Sequence, residues 1–235
     1  MYPVCEELNV TMFINEKKFI TFMCTPDNLK ELAIGHLFTR NLIEDIDDID
    51  SIRVCNTLKN IYILSEFISI DEDFSLNTVL SSACGSSPIF NLKNNKILES
   101  KTLFNIKKLK DATIKMFELA KKHKETGGMH SCAAYNNKRD IISIEDVGRH
   151  NAVDKIIGVC LSKNYDFENS AIISTGRIST DIILKCIGAR IPVVVTRSIP
   201  TTSALELAKQ NGITVIGRIM AREPIIYLNE ARISK

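Results

Sequence analysis

Residues 170–217 read SAIISTGRISTDIILKCIGARIPVVVTRSIPTTSALELAKQNGITVIG. Three short apolar runs, AIIS, VVVT and TVIG, are rich in β-branched residues and bounded by Gly, Pro and hydroxyl residues, which suits strands covered on both faces. Between them, STDIILKCIGAR and TSALELAKQNG carry apolar residues at helical spacing, and Gly212 closes the second. Strands and helices alternating at this length predict right-handed crossovers and a largely parallel sheet with helices packed on it.

The same rhythm extends upstream. NIKKLKDATIKMFELAKKHKE places Leu109, Ala112, Ile114, Met116, Phe117, Leu119 and Ala120 mostly three and four residues apart, predicting one amphipathic helix that ends at TGG. SCAAYNNKRDIISIE predicts two strands joined by NNKR, and HNAVDKIIGVCLSK a helix. Nearer the start, LNVTMFINEKKFITFMCT predicts a hairpin turning at NEKK. A helix should follow it, with Thr25 as N-cap, Pro26 at its first position, and Leu29, Leu32, Ala33, His36, Leu37 and Ile43 as its stripe. SIRVCN and NIYILSE predict strands. Periodicity fades over residues 71–92. The chain therefore divides near residue 100 into a smaller N-terminal α+β domain, 1–100, and an α/β domain, 101–235.

SSACGSSPIF, residues 81–90, lies in that gap and offers almost no side chain for packing. It predicts a loop that presents the thiol of Cys84. The chain's other cysteines are scattered, and no CxxC pair signals a zinc site or dithiol couple. Cys132, Cys160 and Cys186 fall in apolar patterns that predict core packing, and Cys24 is read as structural.

A net charge of +2 predicts neither nucleic-acid nor membrane binding by bulk electrostatics. The N-terminus has no leader pattern, and no run approaches the ~18 apolar residues of a membrane span. The expectation is a cytoplasmic protein.

Ligands of such sheets sit beyond the carboxyl ends of the strands. The loops expected there are EDVGRHNAVDK, TGRISTD, RSIPTTS and RIMARE, each with an arginine, and most run directly into a helix start. Helix N-termini and guanidinium groups together suit phosphates. Each residue alone has a plainer reading. Ser179 and Thr202 read equally as N-caps, Gly148 and Gly176 as turn formers, Arg197 and Arg222 as solvated charges, and Glu145 and Asp146 as first-turn charges answering a helix dipole. Convergence on one edge favours a binding site for a ligand with several phosphates.

On MCTPDNLKELAIGHLFTRNLI, SSACG, TGGMH, EDVGRHNAVDK, STGRISTDIILKC, IPVVVTRSIPTTSALELA and NGITVIG, in that order, the sequence resembles the FdhD/NarQ family of sulfur carriers required for formate dehydrogenase activity. The resemblance implies a C-terminal domain with a cytidine deaminase-like three-layer α/β/α fold, and a homodimer. It implies sulfane sulfur accepted from a cysteine desulfurase on Cys84 and passed to a molybdenum or tungsten bis-guanine-dinucleotide cofactor destined for formate dehydrogenase. Guanine nucleotides would be analogues of that client. Cofactor binding carries over by position to Arg218, Ile219, Met220, Ala221, Arg222 and Glu223, joined by Arg149, His150, Asn151, Arg177, Ser179 and Arg197 from the other loops. No resident metal is implied, and the HxE and PCxxC elements of zinc deaminases are missing from the sequence.

Two departures matter. The family's CGxCG reads CGSSP here, with Ser87 where the second thiol falls, and the last loop has Arg218 for an aromatic residue and Met220 for an arginine. Two functions follow as alternatives: a sulfurtransferase turning over through a Cys84 persulfide, or a noncatalytic chaperone for the cofactor. A generic nucleotide-binding enzyme is the third.

Overall fold

The computed structural model describes residues 2–55, 57–69, 79–80 and 97–234; Cys84 and Ser87 lie outside the described residues. The chain opens with the expected hairpin, β1 (Leu8–Ile14) and β2 (Lys17–Cys24), antiparallel with Ile14 opposite Lys17. Its turn is tighter than NEKK. Asn15 and Glu16 alone make it, at φ 49° and 67°, the left-handed pair that matches strand twist in a two-residue hairpin.

β3 (Ser51–Cys55), β4 (Asn60–Leu64) and β5 (Val79–Leu80) complete a five-stranded sheet in the order β3-β4-β1-β2-β5. β5 runs parallel to β2, with Leu80 opposite Phe22. Helix α1 (Leu29–Thr39) starts later than Thr25 and Pro26 predict, with Asn28 at the N-cap position. Thr25 is drawn away instead: its N–H donates to Asp146 and its hydroxyl accepts from the Val147 N–H.

The second sheet has the order β12-β11-β10-β9-β7-β8. Its strands are β7 (His130–Asn136), β8 (Arg139–Asp146), β9 (Ala171–Ser174), β10 (Val193–Thr196), β11 (Thr214–Gly217) and β12 (Ile225–Leu228). β9, β10 and β11 are parallel, as the alternation predicts. The antiparallel edge strand β12 is an element that the pattern did not announce. Two more short strands, β6 (Phe104–Asn105) and β13 (Ile233–Ser234), pair in parallel apart from it.

Every residue of β9, β10 and β11 is buried, because helices cover both faces. α4 (Arg149–Ser162), α5 (Thr180–Gly188) and α6 (Thr202–Gln210) pack around Ile172, Val194 and Val215. On the other face α2 (Ile106–Leu119) covers Ile173, Val193, Val195 and Ile216 through Leu109, Ala112 and Met116. Each such aliphatic side chain contributes roughly 1.5–3 kcal/mol when fully buried. Ile114 and Leu119, expected in the stripe, are exposed: Ile114 falls between the three- and four-residue steps of the buried row, and Leu119 is the last residue of the helix.

The long helix predicted over 105–125 is two. The backbone breaks at Ala120 (ψ 81°), and α3 (Lys121–Thr126) begins anew. The cause is Glu145, whose carboxylate accepts from the N–H groups of Lys122 (3.0 Å) and His123 (2.7 Å) and caps the new helix. Glu145 therefore answers α3 and not the dipole of α4.

α1 lies between the five-stranded sheet and α4, and hence is buried on nearly all sides. Glycines make the crossing possible. A Cβ on Gly35 would stand 1.8 Å from the Asp154 carbonyl oxygen, one on Gly158 2.0 Å from that of Glu31, and one on Gly188 2.0 Å from that of Thr39.

Candidate functional site

β8 runs antiparallel to β7, and β7 antiparallel to β9, so β8, β9, β10 and β11 all point the same way. Their carboxyl ends form one edge, and the four arginine-bearing loops open there together. Hydrogen bonds lace them. The Thr175 hydroxyl accepts from Ser131 N–H (3.1 Å) and faces His130 Nδ1 (3.3 Å); the Thr196 hydroxyl donates to Gly176 O (2.5 Å). Backbone bonds from Arg197 N–H to Ser174 O, Ile178 N–H to Ile199 O, Thr201 N–H to Ile178 O and Arg218 N–H to Ser198 O join each loop to the next.

Arg177, Arg197, Arg218 and Arg222 are exposed on this rim, and Arg149 is half-buried at its centre. The Arg149 side chain lies against Gly176, where a Cβ would stand 2.9 Å from its Cδ. Arg197 stacks over the ring of Phe117 at 5.7 Å. Arg218 adopts φ 50°, a left-handed conformation uncommon outside glycine, held by its bond to Ser198 and by the Ala221 N–H donating to its carbonyl (2.8 Å). Lys110 of α2 reaches the Ala221 carbonyl at 3.0 Å, so residues 218–223 are tied down at that turn.

Within that segment the side chains divide. Met220, Arg222 and Glu223 face solvent, whereas Ile219 is fully buried among the residues under α2. Asn151 also points inward, its amide donating to Met23 O (2.8 Å) and Asp146 (3.2 Å). His150 Nε2 lies 3.1 Å from the Ser179 hydroxyl and 3.8 Å from Asp181. Burial, then the Arg149 guanidinium, pushes the His150 imidazole down to about 3, so it is neutral at pH 7. His130 is lowered by the same two causes.

Under the rim runs a buried ionic layer that residue-by-residue reading missed. Asp146, read as a first-turn charge, is fully buried: Lys155 Nζ lies 2.7 Å from it and the Gly148 N–H donates to it at 2.7 Å. Lys155 also donates to Thr25 O (2.9 Å) and Asp27 (3.0 Å), and Lys122 bonds Asp27 from α3. Burial alone would lower the Lys155 ammonium, but Asp146 and Asp27 outweigh it and raise it. The signal available in the sequence was two ionisable residues, Asp154 and Lys155, inside the apolar helix NAVDKIIG.

The arrangement suits an anionic ligand: guanidinium groups on four loops, helix starts at Arg149, Thr180 and Thr202, and neutral imidazoles between them. Among the described residues no group of His, Cys, Asp and Glu is disposed to hold a metal ion, and no helix is long and apolar enough to cross a membrane.

Comparison with known proteins agrees with the architecture. The chain is 29% identical over 242 residues to the sulfur carrier protein FdhD of Listeria innocua, covering 98% of this chain and 91% of that protein. It is 29% identical over 240 residues to that of Bacillus pumilus, covering 99% and 90%. A crystal structure of a putative formate dehydrogenase accessory protein from Desulfotalea psychrophila superposes with a TM-score of 0.78 at 25% identity, covering 97% of this chain and 89% of that one. The profile of the FdhD/NarQ family matches residues 5–234, and the chain belongs to that family.

Proposed function

We propose that this protein is a sulfur carrier serving formate dehydrogenase, with Cys84 as the carrying thiol. In this reading the Cys84 thiolate attacks the terminal sulfur of a persulfide on a cysteine desulfurase. The donor's S–S bond breaks, the donor leaves as a thiolate, and Cys84 holds the sulfur as its own persulfide with no net redox change. The rim binds the client, a molybdenum or tungsten cofactor bearing two guanine dinucleotides, through Arg149, Arg177, Arg197 and residues 218–223; there the Cys84 S–S bond would break, Cys84 leaving as a thiolate, while the reduced metal of the client supplies the two electrons that take the sulfane sulfur to sulfide. The helix-covered six-stranded sheet is read as the cytidine deaminase-like layer, and the working unit as a homodimer in the cytoplasm.

One observation carries the assignment. β5 runs parallel to β2 with Leu80 opposite Phe22, so β5 points the way β2 runs, toward Thr25. Thr25 holds the Val147 amide at the entrance to the Arg149 loop. Cys84 is four residues beyond Leu80, a tether of at most about 14 Å. A tether of that reach supports delivery of sulfur to the rim.

Incubation with a cysteine desulfurase and cysteine, followed by mass spectrometry, tests this. The Cys84 peptide should gain one sulfur that dithiothreitol removes, and Cys84→Ser should take up none. Ser87, in the place of the family's second thiol, favours the second reading, a noncatalytic cofactor chaperone. That reading predicts guanine-nucleotide binding at the rim with no sulfur on Cys84.

A further inference from the structure

At the first turn of α5 the Asp181 side chain is 12% exposed, and neither of its oxygens has a hydrogen-bond donor. Its neighbours stand off: the neutral His150 imidazole, through Nε2, and Lys185 Nζ are each 3.8 Å from Oδ2, outside hydrogen-bond range, and the Arg40 and Arg149 guanidinium groups act on it as nearby charges. Lys185 is committed to Asp154 at 2.8 and 2.7 Å. Beside Asp181, His150 is 9% exposed and its Nδ1 also has no partner. Ser179 occupies the N-cap position of α5, yet its hydroxyl takes no helix amide and lies on His150 instead.

The two Asp181 oxygens are acceptors without donors, set into a rim whose other functional side chains are guanidinium donors. A buried carboxylate left this way is costly, and burial raises the Asp181 pKa accordingly. Phosphates, themselves acceptors, cannot satisfy it. A ligand that does so must bring N–H groups.

Resting on the reading of the rim as a nucleotide-cofactor site, we propose that Asp181 is its specificity-determining residue, accepting the two adjacent N–H donors of a 2-amino-4-oxopyrimidine ring edge. A carboxylate is acceptor-only and offers two oxygens side by side, the complement of a ring N–H next to an amino group. Guanine presents that edge, and so does a pterin. Adenine puts a lone pair at the ring nitrogen, against the carboxylate, and hypoxanthine lacks the amino group.

Titration calorimetry on the full chain with GDP, IDP, ADP and 6-hydroxymethylpterin tests the assignment. The wild type should bind GDP about 10- to 100-fold more tightly than IDP or ADP, the range of a hydrogen-bonded pair to a charged acceptor. D181N should bring GDP to the level of IDP while moving IDP less than about threefold, since IDP makes only part of the contact. Equal wild-type affinity for GDP and IDP, or a GDP preference retained in D181N, overturns the proposal. Should D181N not fold, nitrogen-15-labelled GDP on the wild type decides: a downfield, slowly exchanging imino proton supports the contact, and one exchanging as in free GDP overturns it. Tight pterin binding without GDP binding supports it with the pterin as source. If no ligand binds the wild type, the cofactor-site reading fails and takes this assignment with it, an outcome distinct from binding without discrimination.

Discussion

Lys185 Nζ lies 2.8 and 2.7 Å from the two carboxylate oxygens of Asp154, and the two side chains are 1% and 2% exposed. Asp154 also accepts from the Thr39 hydroxyl (3.1 Å) and has His36 Nδ1 at 3.2 Å. One carboxylate therefore pins three helices, α1, α4 and α5, at the place where the glycines let their backbones meet. Burial would raise its pKa, but Lys185 and the hydrogen bond from His36 hold it far below the usual carboxylate range. The layer beneath the rim is thus both ionic and rigid.

Lys185→Met leaves Asp154 charged and buried without its main partner. Urea denaturation should show a loss of about 3–5 kcal/mol. The double variant Asp154→Leu with Lys185→Met should recover much of it, because no uncompensated charge remains. A single-variant loss below about 1 kcal/mol, near the level of a surface pair, would show that the pair does not hold the helices.

Stability should fall on acidification below neutrality. His36 and His150 are each pushed down to about 3 from 6.5, chiefly by burial, with Arg40 and Arg149 adding to it. Between pH 6.5 and 3 the unfolded chain binds protons that the folded chain does not. Stability is therefore full above pH 6.5 and declines as the pH drops, by up to ~1.4 kcal/mol per unit for each imidazole. Urea midpoints measured from pH 7 to 4 should decrease steadily, and His36→Gln should flatten the slope by about one proton's worth.

Gly35→Ala tests the helix crossing. Its methyl would overlap the Asp154 carbonyl of α4, a backbone atom that moves only if the helices part. A loss of about 3 kcal/mol, at the upper end of ordinary overpacking, is expected in chemical denaturation. Unchanged stability would mean that α1 and α4 are not in contact there.

Thr25→Val removes the hydroxyl that accepts the Val147 amide and keeps the shape of a side chain only 1% exposed. The expected cost is about 1–3 kcal/mol. Hydrogen exchange in the peptide spanning residues 145–152 should accelerate, since the loop leading to Arg149 loses its brace. Exchange as slow as in the wild type would remove Thr25 from that role.

Thiol labelling should sort the cysteines by burial. Cys24, Cys160 and Cys186 are pushed up to about 12, mainly by burial. At pH 8 their thiolate fraction is on the order of one in ten thousand. Cys5 and Cys55 are partly exposed. Ellman's reagent should label those two in the native protein, and also Cys84, which the proposed function requires to be reachable, while Cys24, Cys132, Cys160 and Cys186 react only in denaturant.

The amino-acid sequence determined what depends on near neighbours. Alternating apolar runs marked β9, α5, β10, α6 and β11, Gly212 at φ 70° ended α6 as its position suggested, and the arginine loops after those strands fell on one edge because parallel strands must all end there. Only the tertiary structure decided matters that involve distant partners. Thr25 left its helix for Asp146, 121 residues away. Glu145 split a helix whose apolar pattern runs on without a break. Asp154 and Lys155, ordinary charges in a string of letters, became buried ions because α1 arrived with Thr39 and β2 ran on to Thr25 and Asp27. Propensity and periodicity are local quantities; where a charge is buried, and by whom it is answered, is fixed by chain segments that meet only on folding.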